Sequence, residues 1–422
     1  MRRVNIALAL LSTVSSALSF GAYALLFWHF GPHSELDGLF SASALPTAVG
    51  GIVSAVLMAG LPVALTEKSR AEQDCLIGES AVRVLAWAAL LTAALGVVAL
   101  LGGPSVISWM VIAYIPVSAM FVVSTLTSAL YQARGQFRMS LMPSVVTSTG
   151  LAVGCAAAVS LESVWWVPTF HFFAASLLVS WRTTMLPASR RIKLADILLR
   201  WWHERGGGVV RALHVLVATL PFTLFQPMDT LLCARLPIGS LSILVMCQRV
   251  LVAFGTVISV GVATSAAFRS RALLVAGGAA AVNRDAVRKT IGICGLGLVG
   301  AAVCSAIGEA ALQSLVRVTG KAAVDTSGLS HTLSIMLLGC GPMASMPFLI
   351  RMSYRLGGYR IPAVVGVVLP VAYLAAGSAL SERAGLSGIA WTYVVLWWVV
   401  LAVTLLSMRR LSPSPIMSES ET

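Results

Sequence analysis

The fold of this 422-residue chain is decided by a stretch that occurs twice, as YQARGQFRMSLMPSVV (131–146) and as SYRLGGYRIPAVVGVV (353–368). The copies align at an offset of 222 residues, which pairs Gly135 with Gly357 and, three residues later, an arginine with an arginine. Glycine permits a tight turn between helices, and a nearby arginine can meet the phosphates of a membrane surface. The duplication therefore predicts two halves built on one plan.

The composition around these turns requires a membrane. Hydrophobic residues make up 58% of the chain and charged residues only 11%, and the mean hydropathy is +0.90. Soluble domains carry about 25% charged residues, because charge has to cover the surface that faces water. The composition disfavours a soluble enzyme, a disordered chain and a nucleic-acid-binding protein. It favours an all-α protein that crosses the membrane many times.

Twelve transmembrane helices are expected, since about 20 mostly apolar residues cross the hydrocarbon layer. The first follows Met1–Arg3 directly and continues to Phe30, which is longer than the apolar core of a signal peptide. Glycine, proline or charged residues separate several spans, at 31–32, 102–104, 206–208, 357–358 and 381–383. The predicted spans cover residues 5–30, 38–65, 81–102, 105–131, 140–161, 164–182, 209–234, 238–268, 291–316, 329–350, 361–380 and 386–408.

The distribution of positive charge predicts the orientation. Most of the 29 Lys and Arg residues fall near the termini and in alternate loops, and segments of that kind face the cytoplasm. The opposite loops hold Arg235, Arg317, Lys321 and Arg383. The protein is therefore expected in a bacterial inner (cytoplasmic) membrane, with both termini on the cytoplasmic side. The net charge of +13 then faces anionic lipids and needs no nucleic acid to explain it.

The two halves predict the domain organisation. Six spans on either side of the longest cytoplasmic connection give an N-terminal lobe at 1–182 and a C-terminal lobe at 209–411. The connection, 183–208, mixes basic residues with Ile, Leu and Trp, as an amphipathic helix at a membrane surface does. Residues 412–422 are expected to form a disordered tail. Two parallel repeats place a cavity between the lobes, which is a recurring plan of transporters.

The repeated turn and two further stretches resemble one superfamily. SELDGLFSASALPTAVGGIVSAVLMAGLPVAL (34–65) and FQPMDTLLCARLPIGSLSILVMCQRVLVAFGTVISV (225–260) are similar to the multidrug/oligosaccharidyl-lipid/polysaccharide (MOP) exporters. Within the superfamily, the chain most resembles bacterial polysaccharide, O-antigen and peptidoglycan-precursor flippases. The resemblance implies two six-helix lobes in a V, alternating access, and movement of undecaprenyl-diphosphate-linked sugars to the outer leaflet.

One departure from the flippase pattern bears on the substrate. Lipid II flippases carry several arginines in their first two spans, whereas residues 15–25 and 45–53 of this chain contain no cation. Of the arginines that line the cavity in those flippases, this chain matches only the one in the eighth span, at Arg249. The departure favours a lipid-linked glycan other than the peptidoglycan precursor.

Polar residues inside the spans are the candidates for a substrate-binding site, because each needs a partner or a water-filled cavity. Arg249 lies about 15 Å into the eighth span at 1.5 Å per residue, and its guanidinium can form two hydrogen bonds to a diphosphate. The alternative is an ion pair, with Asp229 as partner, that only holds the lobe together. Gln226 and Gln248 are expected to bind sugar hydroxyls, and Asp37 corresponds to an acidic position of the family.

Four arginines beside the repeated turns, Arg134, Arg138, Arg355 and Arg360, are expected to gather headgroups at the cytoplasmic entrance. No cofactor or metal is expected, because the sequence contains no phosphate-binding loop, no paired catalytic carboxylates and no metal-ligand spacing. The expected partners are the lipid-linked glycan, anionic lipids and glycan assembly enzymes. The protein is expected to act as a monomer.

Two other functions compete with a flippase, which is not an enzyme. An ion-coupled multidrug or cation antiporter of the same superfamily needs a carboxylate deep in the N-terminal lobe, and the first six spans offer none at mid-membrane. An integral glycosyltransferase or polymerase needs a large outer loop with catalytic residues, and the predicted outer loops are short.

Overall fold

The computed structural model of the protein describes residues 2–66, 69–102, 106–183, 208–319, 326–356, 358 and 360–409. Within these ranges the chain is helical and contains no strand, so the expected all-α class is confirmed. The helices are α1 (Arg2–Phe30), α2 (Ser34–Thr66), α3 (Arg70–Gly102), α4 (Val106–Ala133), α5 (Phe137–Ser160), α6 (Trp166–Thr183), α7 (Gly208–Cys233), α8 (Ser240–Thr319), α9 (Thr326–Leu337), α10 (Cys340–Arg355) and α11 (Arg360–Met408).

The helices are those of a protein that crosses the membrane many times. Six of the described helices are long and apolar enough to cross a bilayer, or seven if α9 and α10, which meet at a 41° bend, form one span. Helix α3 exposes a row of large apolar side chains that includes Trp87, which is 73% exposed. The second part of α8 likewise exposes Ile291 and Val299. Such surfaces suit lipid and not water. The count of twelve spans stays a prediction.

Two long helices are each broken at a glycine. Gly278 interrupts α8 with φ of 62°, and Gly385 interrupts α11 with φ of 58°. The second of these breaks lies within the connection predicted between the spans 361–380 and 386–408. The polar residues 381–383 continue the helix, and the chain turns at the next glycine, because a positive φ is costly for residues with a side chain. After the turn, Gly388 lies against the carbonyl oxygen of Leu380, so the two parts of α11 pack too closely for a side chain at that position.

Helix α3 begins eleven residues before its predicted start at 81. Ser69 and Glu72 form a capping box: the Ser69 backbone N–H donates to Glu72 Oε2 at 3.0 Å, and the Glu72 N–H donates to Ser69 Oγ at 3.4 Å. A window of hydropathy does not detect this polar first turn, but the motif Ser-x-x-Glu does. The predicted amphipathic connection at 183–208 and the tail at 412–422 fall almost entirely outside the described residues.

The chain divides into two compact units, Met1–Thr230 and Leu231–Thr422. In the first unit α2 packs on α4, and α1 packs on α5. Serine hydroxyls join the latter pair, with Ser15 Oγ 2.8 Å and Ser19 Oγ 2.9 Å from Ser148 Oγ. In the second unit α8 packs on α9 and α10. The division falls inside α7 and not at the predicted connection, so the lobe limits of 1–182 and 209–411 stay a prediction.

The repeated turn has the same backbone hydrogen bond in both copies. The N–H of Gln136 donates to the carbonyl of Tyr131 at 2.7 Å, and that of Gly358 donates to the carbonyl of Ser353 at 2.7 Å. In the first copy Gly135 has φ of 72° and donates to Gln132 at 3.0 Å, which completes a Schellman motif. The internal repeat in the amino-acid sequence is therefore also a repeat of local backbone structure.

Candidate functional site

Arg249 lies on a part of α8 that two neighbouring helices hold in place. The thiol of Cys247 is 3.9 Å from the carbonyl oxygen of Leu329 in α9, and the carbonyl of Leu251 is 3.7 Å from the thiol of Cys340 in α10. Residues 247 and 251 are one turn apart and share a face. Arg249, midway between them, projects from the opposite face, away from α9 and α10.

The burial pattern of α8 agrees with this placement. Residues 240–247 are buried without interruption, and Gln248 and Arg249 are the first half-buried positions of the helix. Each of the two also has polar or electrostatic contacts within the chain. A guanidinium offers five N–H donors in a planar fork, a geometry that matches a bidentate anion. The sequence-predicted pair Gln248–Arg249 thus occupies a half-buried position of the second unit, on a segment of α8 that contacts α9 and α10.

Gln226 on α7 contacts α2 within the first unit. Its side-chain amide donates to the carbonyl of Phe40 at 3.3 Å and to Ser43 Oγ at 3.2 Å. Ser43 Oγ itself donates to the Phe40 carbonyl at 3.0 Å, so the three groups form one small polar cluster. In this arrangement Gln226 joins two helices, and whether it binds a sugar hydroxyl stays a prediction.

A pair of glycines allows α2 to lie between two helices of the first unit. A Cβ at Gly51 would be 3.1 Å from the methyl group of Thr223 on α7. Gly50 faces α4, where a Cβ would collide with the hydroxyl of Ser118. That hydroxyl donates to the carbonyl of Pro46. Close approach of the backbones is what the glycines contribute here.

The two predicted carboxylates lie toward one end of the α2–α7 pair. The contacts of Gly51 with Thr223 and of Ser43 with Gln226 show that the helices run antiparallel. Continuing in the same direction leads to Asp37 on α2 and Asp229 on α7. Asp229 is fully buried, and Asp37 is half-buried in the first turn of α2. Both carboxylates have contacts within the chain.

Arg134, one of the four expected entrance arginines, is held by its neighbours. Its Nη2 lies 2.6 Å from Asp74 Oδ1 and 3.2 Å from the carbonyl of Arg70, and its Nε donates to Gln73 Oε1 at 2.9 Å. Gln73 in turn donates to the carbonyl of Leu65 at 2.7 Å. We call this set of five residues the Arg134 clip. It joins the ends of α2, α3 and α4, a structural role that the sequence analysis missed.

The structure describes the side chain of one of the other three entrance arginines. Arg360 is exposed at the first residue of α11. The side chains of Arg138 and Arg355 lie outside the described part of the structure. A metal site is also absent from the described residues. Among all of them, no group of three or more His, Cys, Asp or Glu side chains lies close enough together to hold a metal ion.

No protein-family model and no curated protein sequence matches the chain. Its fold does match solved structures. Lipid II flippase MurJ in an inward closed conformation gives a TM-score of 0.72 at 15% identity, covering 96% of this chain and 87% of the flippase. An inward-facing multidrug resistance MATE family transporter of the MOP superfamily gives 0.67 at 12% identity, covering 94% of this chain and 97% of the transporter.

The chain has the fold of the MOP superfamily. A eukaryotic MATE transporter, AtDTX14, shares it as well, with a TM-score of 0.61 at 14% identity over 97% of this chain and 94% of the transporter. The resemblance inferred from the repeated turn is therefore confirmed at the level of the fold. Identities this low establish the MOP fold and leave the substrate to be argued from the residues of this chain.

Proposed function

We propose that this chain is a flippase that moves an undecaprenyl-diphosphate-linked oligosaccharide or polysaccharide precursor across the membrane by alternating access. The observation that carries the proposal is Arg249, a half-buried arginine on a helix segment held by α9 and α10. A fixed guanidinium matches the charge and geometry of a diphosphate. The MOP fold is shared with a lipid II flippase, which agrees with a lipid-linked substrate.

A flippase of this kind lowers the free-energy cost of moving a sugar headgroup out of water and across the bilayer. Each sugar hydroxyl that loses its hydrogen bonds in hydrocarbon costs about 2–7 kcal/mol, so a glycan does not cross a bilayer unaided. A polar cavity replaces those hydrogen bonds while the polyprenyl chain stays in lipid. In the proposal Arg249 binds the diphosphate, and Gln248 and Gln226 contact hydroxyls. Arg360 gathers headgroups, together with Arg138 and Arg355.

The remaining parts of the proposal concern the membrane. The breaks at Gly278 and Gly385 each separate two crossings, and the bent pair α9–α10 forms one, which supports twelve crossings. Both termini then face the cytoplasm of a bacterium, as the distribution of Lys and Arg predicts. The proposed partners are anionic lipids and glycan assembly enzymes, and the proposed unit is a monomer.

The test is movement of a lipid-linked sugar in proteoliposomes. A fluorescent polyprenyl-diphosphate disaccharide is placed in both leaflets, and dithionite bleaches the molecules that reach the outside. Wild-type protein should make the whole pool accessible. Arg249→Ala should slow this by about tenfold or more, since a hydrogen bond to a charged group contributes about 1.5–3 kcal/mol. Arg249→Lys should retain part of the rate because it keeps the charge and loses the bidentate geometry.

The matched control is Arg284→Ala, which removes an exposed arginine from the part of α8 beyond the break at Gly278. It should move the lipid at the wild-type rate. If Arg249→Ala also transports within twofold of wild type, with equal amounts of folded protein, Arg249 does not bind the transported group. If wild-type protein moves no lipid-linked sugar at all, the proposed function is wrong.

A second function, an ion-coupled multidrug or cation antiporter, is favoured by one observation. Asp229 is a fully buried carboxylate on α7, and a buried carboxylate inside a membrane protein can exchange a proton for a cation. Under this alternative, Asp229→Asn abolishes proton-driven uptake of a cationic dye by proteoliposomes, and Arg249→Ala leaves it intact. Dye uptake without sugar-lipid movement would replace the first proposal by the second.

A further inference from the structure

A cavity of about 390 Å³ opens at the end of the first unit where α1 turns into α2 and α5 turns into α6. Its size is within the range of about 300–1,000 Å³ that small-molecule sites occupy. In the predicted orientation this end of the unit faces outside. The lining residues are Ser34, Glu35 and Gly38 of α2, Ile107 and Met110 of α4, and Glu162–Trp165 of the turn before α6.

One side of the cavity is apolar and open to a ligand. Ile107 is 50% exposed and Trp165 is 37% exposed, whereas Met110 and Val164 are buried. Gly38 of α2 lies opposite Ile107 of α4, where a Cβ would be in ordinary van der Waals contact at 3.8 Å. An indole face beside an aliphatic side chain can receive either hydrocarbon or a cation.

The other side of the cavity carries two carboxylates, Glu35 and Glu162, both exposed. Among the described residues, none donates a hydrogen bond to either carboxylate or pairs with it as a cation. No lysine or arginine lines the cavity. The local charge is therefore negative and uncompensated within the described chain, which favours a positively charged ligand over a neutral or anionic one.

Glu162 occupies a backbone position that suits glycine. It has φ of 51°, and the N–H of Ser163 donates to the carbonyl of Ala158 at 3.0 Å, as in the Schellman motif at Gly135. A glutamate in the left-handed region is strained, and the fold itself would be better served by glycine. Within the described residues, the turn is closed by a backbone hydrogen bond, and no hydrogen bond or ion pair joins the side chain of Glu162 to it.

We propose that this cavity binds an organic ammonium ion, with the positive charge between Glu35 and Glu162 and the attached carbons on Ile107 and Trp165. The site lies outside the proposed transport path at Arg249 and does not depend on the proposed function. Two sources offer the same chemistry: the ethanolamine or choline headgroup of a phospholipid, and a free organic cation in solution.

The test is titration calorimetry of the full-length protein in a neutral maltoside detergent with benzyltrimethylammonium chloride as the probe. Wild-type protein should bind it. Glu35→Gln, Glu162→Gln and Trp165→Leu should each weaken binding about fivefold, the effect of losing one exposed ion pair or one cation–π contact. The double variant Glu35→Gln/Glu162→Gln should bind at least about twentyfold more weakly. Glu309→Gln, which removes an exposed carboxylate from α8, should leave binding unchanged.

Glu162→Gly separates binding from folding. It removes the carboxylate and relieves the strained φ, so it should lose affinity while its melting temperature stays equal or rises. No binding by wild-type protein, unchanged affinity in the double variant, or equal binding of neutral benzyl alcohol would overturn the proposal.

Nanodiscs distinguish the two sources of the cation. If the natural ligand is a lipid headgroup, nanodiscs with phosphatidylethanolamine should weaken probe binding several-fold relative to phosphatidylglycerol nanodiscs. The weakening should vanish in Glu162→Gly. If the ligand is a free cation, any difference between the two lipids should come from surface charge and be the same in wild type and Glu162→Gly, and Glu162→Gly should still bind the probe less. Probe affinity that falls equally in wild type and Glu162→Gly would assign the lipid effect to surface charge and contradict a headgroup at this site.

Discussion

The two copies of the glycine turn share a backbone and differ in the side chains that support it. Both close with a hydrogen bond of 2.7 Å between residues five apart in the chain. Before the first turn stands Arg134, whose clip joins three helices through Asp74 and Gln73. At the matching position before the second turn stands Leu356, which is 2% exposed. One position thus carries a charge in one half and an apolar side chain in the other.

The difference shows that the two copies of the repeat keep the same backbone hydrogen bond, while the side-chain interactions that stabilise the turn differ. The left-handed φ of Gly135 favours glycine, and the sequence repeats a glycine at the matching position, 357. The residue before the glycine differs between the copies: one copy has an arginine in a charged hydrogen-bond network, and the other has a buried apolar side chain. The Arg134 clip lies beside an apolar cluster of α2, α3 and α4 that includes Leu65, Leu76 and Leu130. At the second turn, Leu356 is itself buried.

The largest effect is expected at the second turn. Leu356→Ala removes a buried side chain and should lower the free energy of unfolding by about 2–5 kcal/mol, through lost burial and the cavity that remains. The measurement is denaturant unfolding of the purified protein in detergent. Leu406→Ala, which truncates a leucine on α11 that is 58% exposed, is the control and should cost far less. Equal losses in the two variants would mean that Leu356 does not support its turn.

A smaller effect is expected at the first turn, where charge replaces apolar burial. In a double-mutant cycle, Arg134→Ala and Asp74→Asn should show a coupling energy of about 1–3 kcal/mol, because the two side chains are only 20% and 12% exposed. The ion pair of Glu79 with Arg83 on α3 is the matched control. Its side chains are 25% and 45% exposed, and it should couple by about 0.3–0.5 kcal/mol.

The variant Arg134→Lys sharpens the same comparison. Lysine keeps the charge but cannot bond Gln73, Asp74 and the Arg70 carbonyl in one plane, so it should recover less than half of the loss. Full recovery by lysine would reduce the clip to a simple charge interaction. A coupling energy no larger than that of the surface pair would remove the contrast between the two turns.

The smallest effect concerns the feature that the turns share. Gly135→Ala forces a side chain into φ of 72° and should destabilise the protein by about 1–2 kcal/mol, although nothing lies within 4 Å of the new Cβ. Gly96→Ala also enters open space, but within helix α3, and should be neutral or stabilise by up to about 1 kcal/mol. The same unfolding measurement applies. A similar response from both glycines would show that the positive φ is not what the turn requires.

Much of the fold could be predicted because its signals are local. The first seven predicted spans coincide with α1–α7 to within a few residues except at the start of α3, since hydrocarbon thickness determines how long an apolar run must be. The misplaced start of α3 had a readable signal in Ser69 and Glu72. The break in α11 lies at Gly385, within the predicted connection between the last two spans.

The candidate site could be predicted only in part. The sequence predicts Arg249 as a binding residue because a guanidinium deep in an apolar helix is unusual. In the structure Arg249 is half-buried on α8. The engagement of Arg134 with Asp74 was not predicted, since the two are 60 residues apart. The contact of Gln226 with Ser43, 183 residues away, was missed for the same reason.

The sequence by itself determined the all-α membrane class, most helix limits and the duplicated turn. These depend on hydropathy and on glycine geometry, which act over a few neighbouring residues. Only the tertiary structure decided which polar groups are engaged: Arg134 in its clip and Gln226 on α2, while Glu35 and Glu162 face a cavity. The partner of a polar side chain belongs to whichever helix packs against it, and the order of residues along one helix does not contain that information.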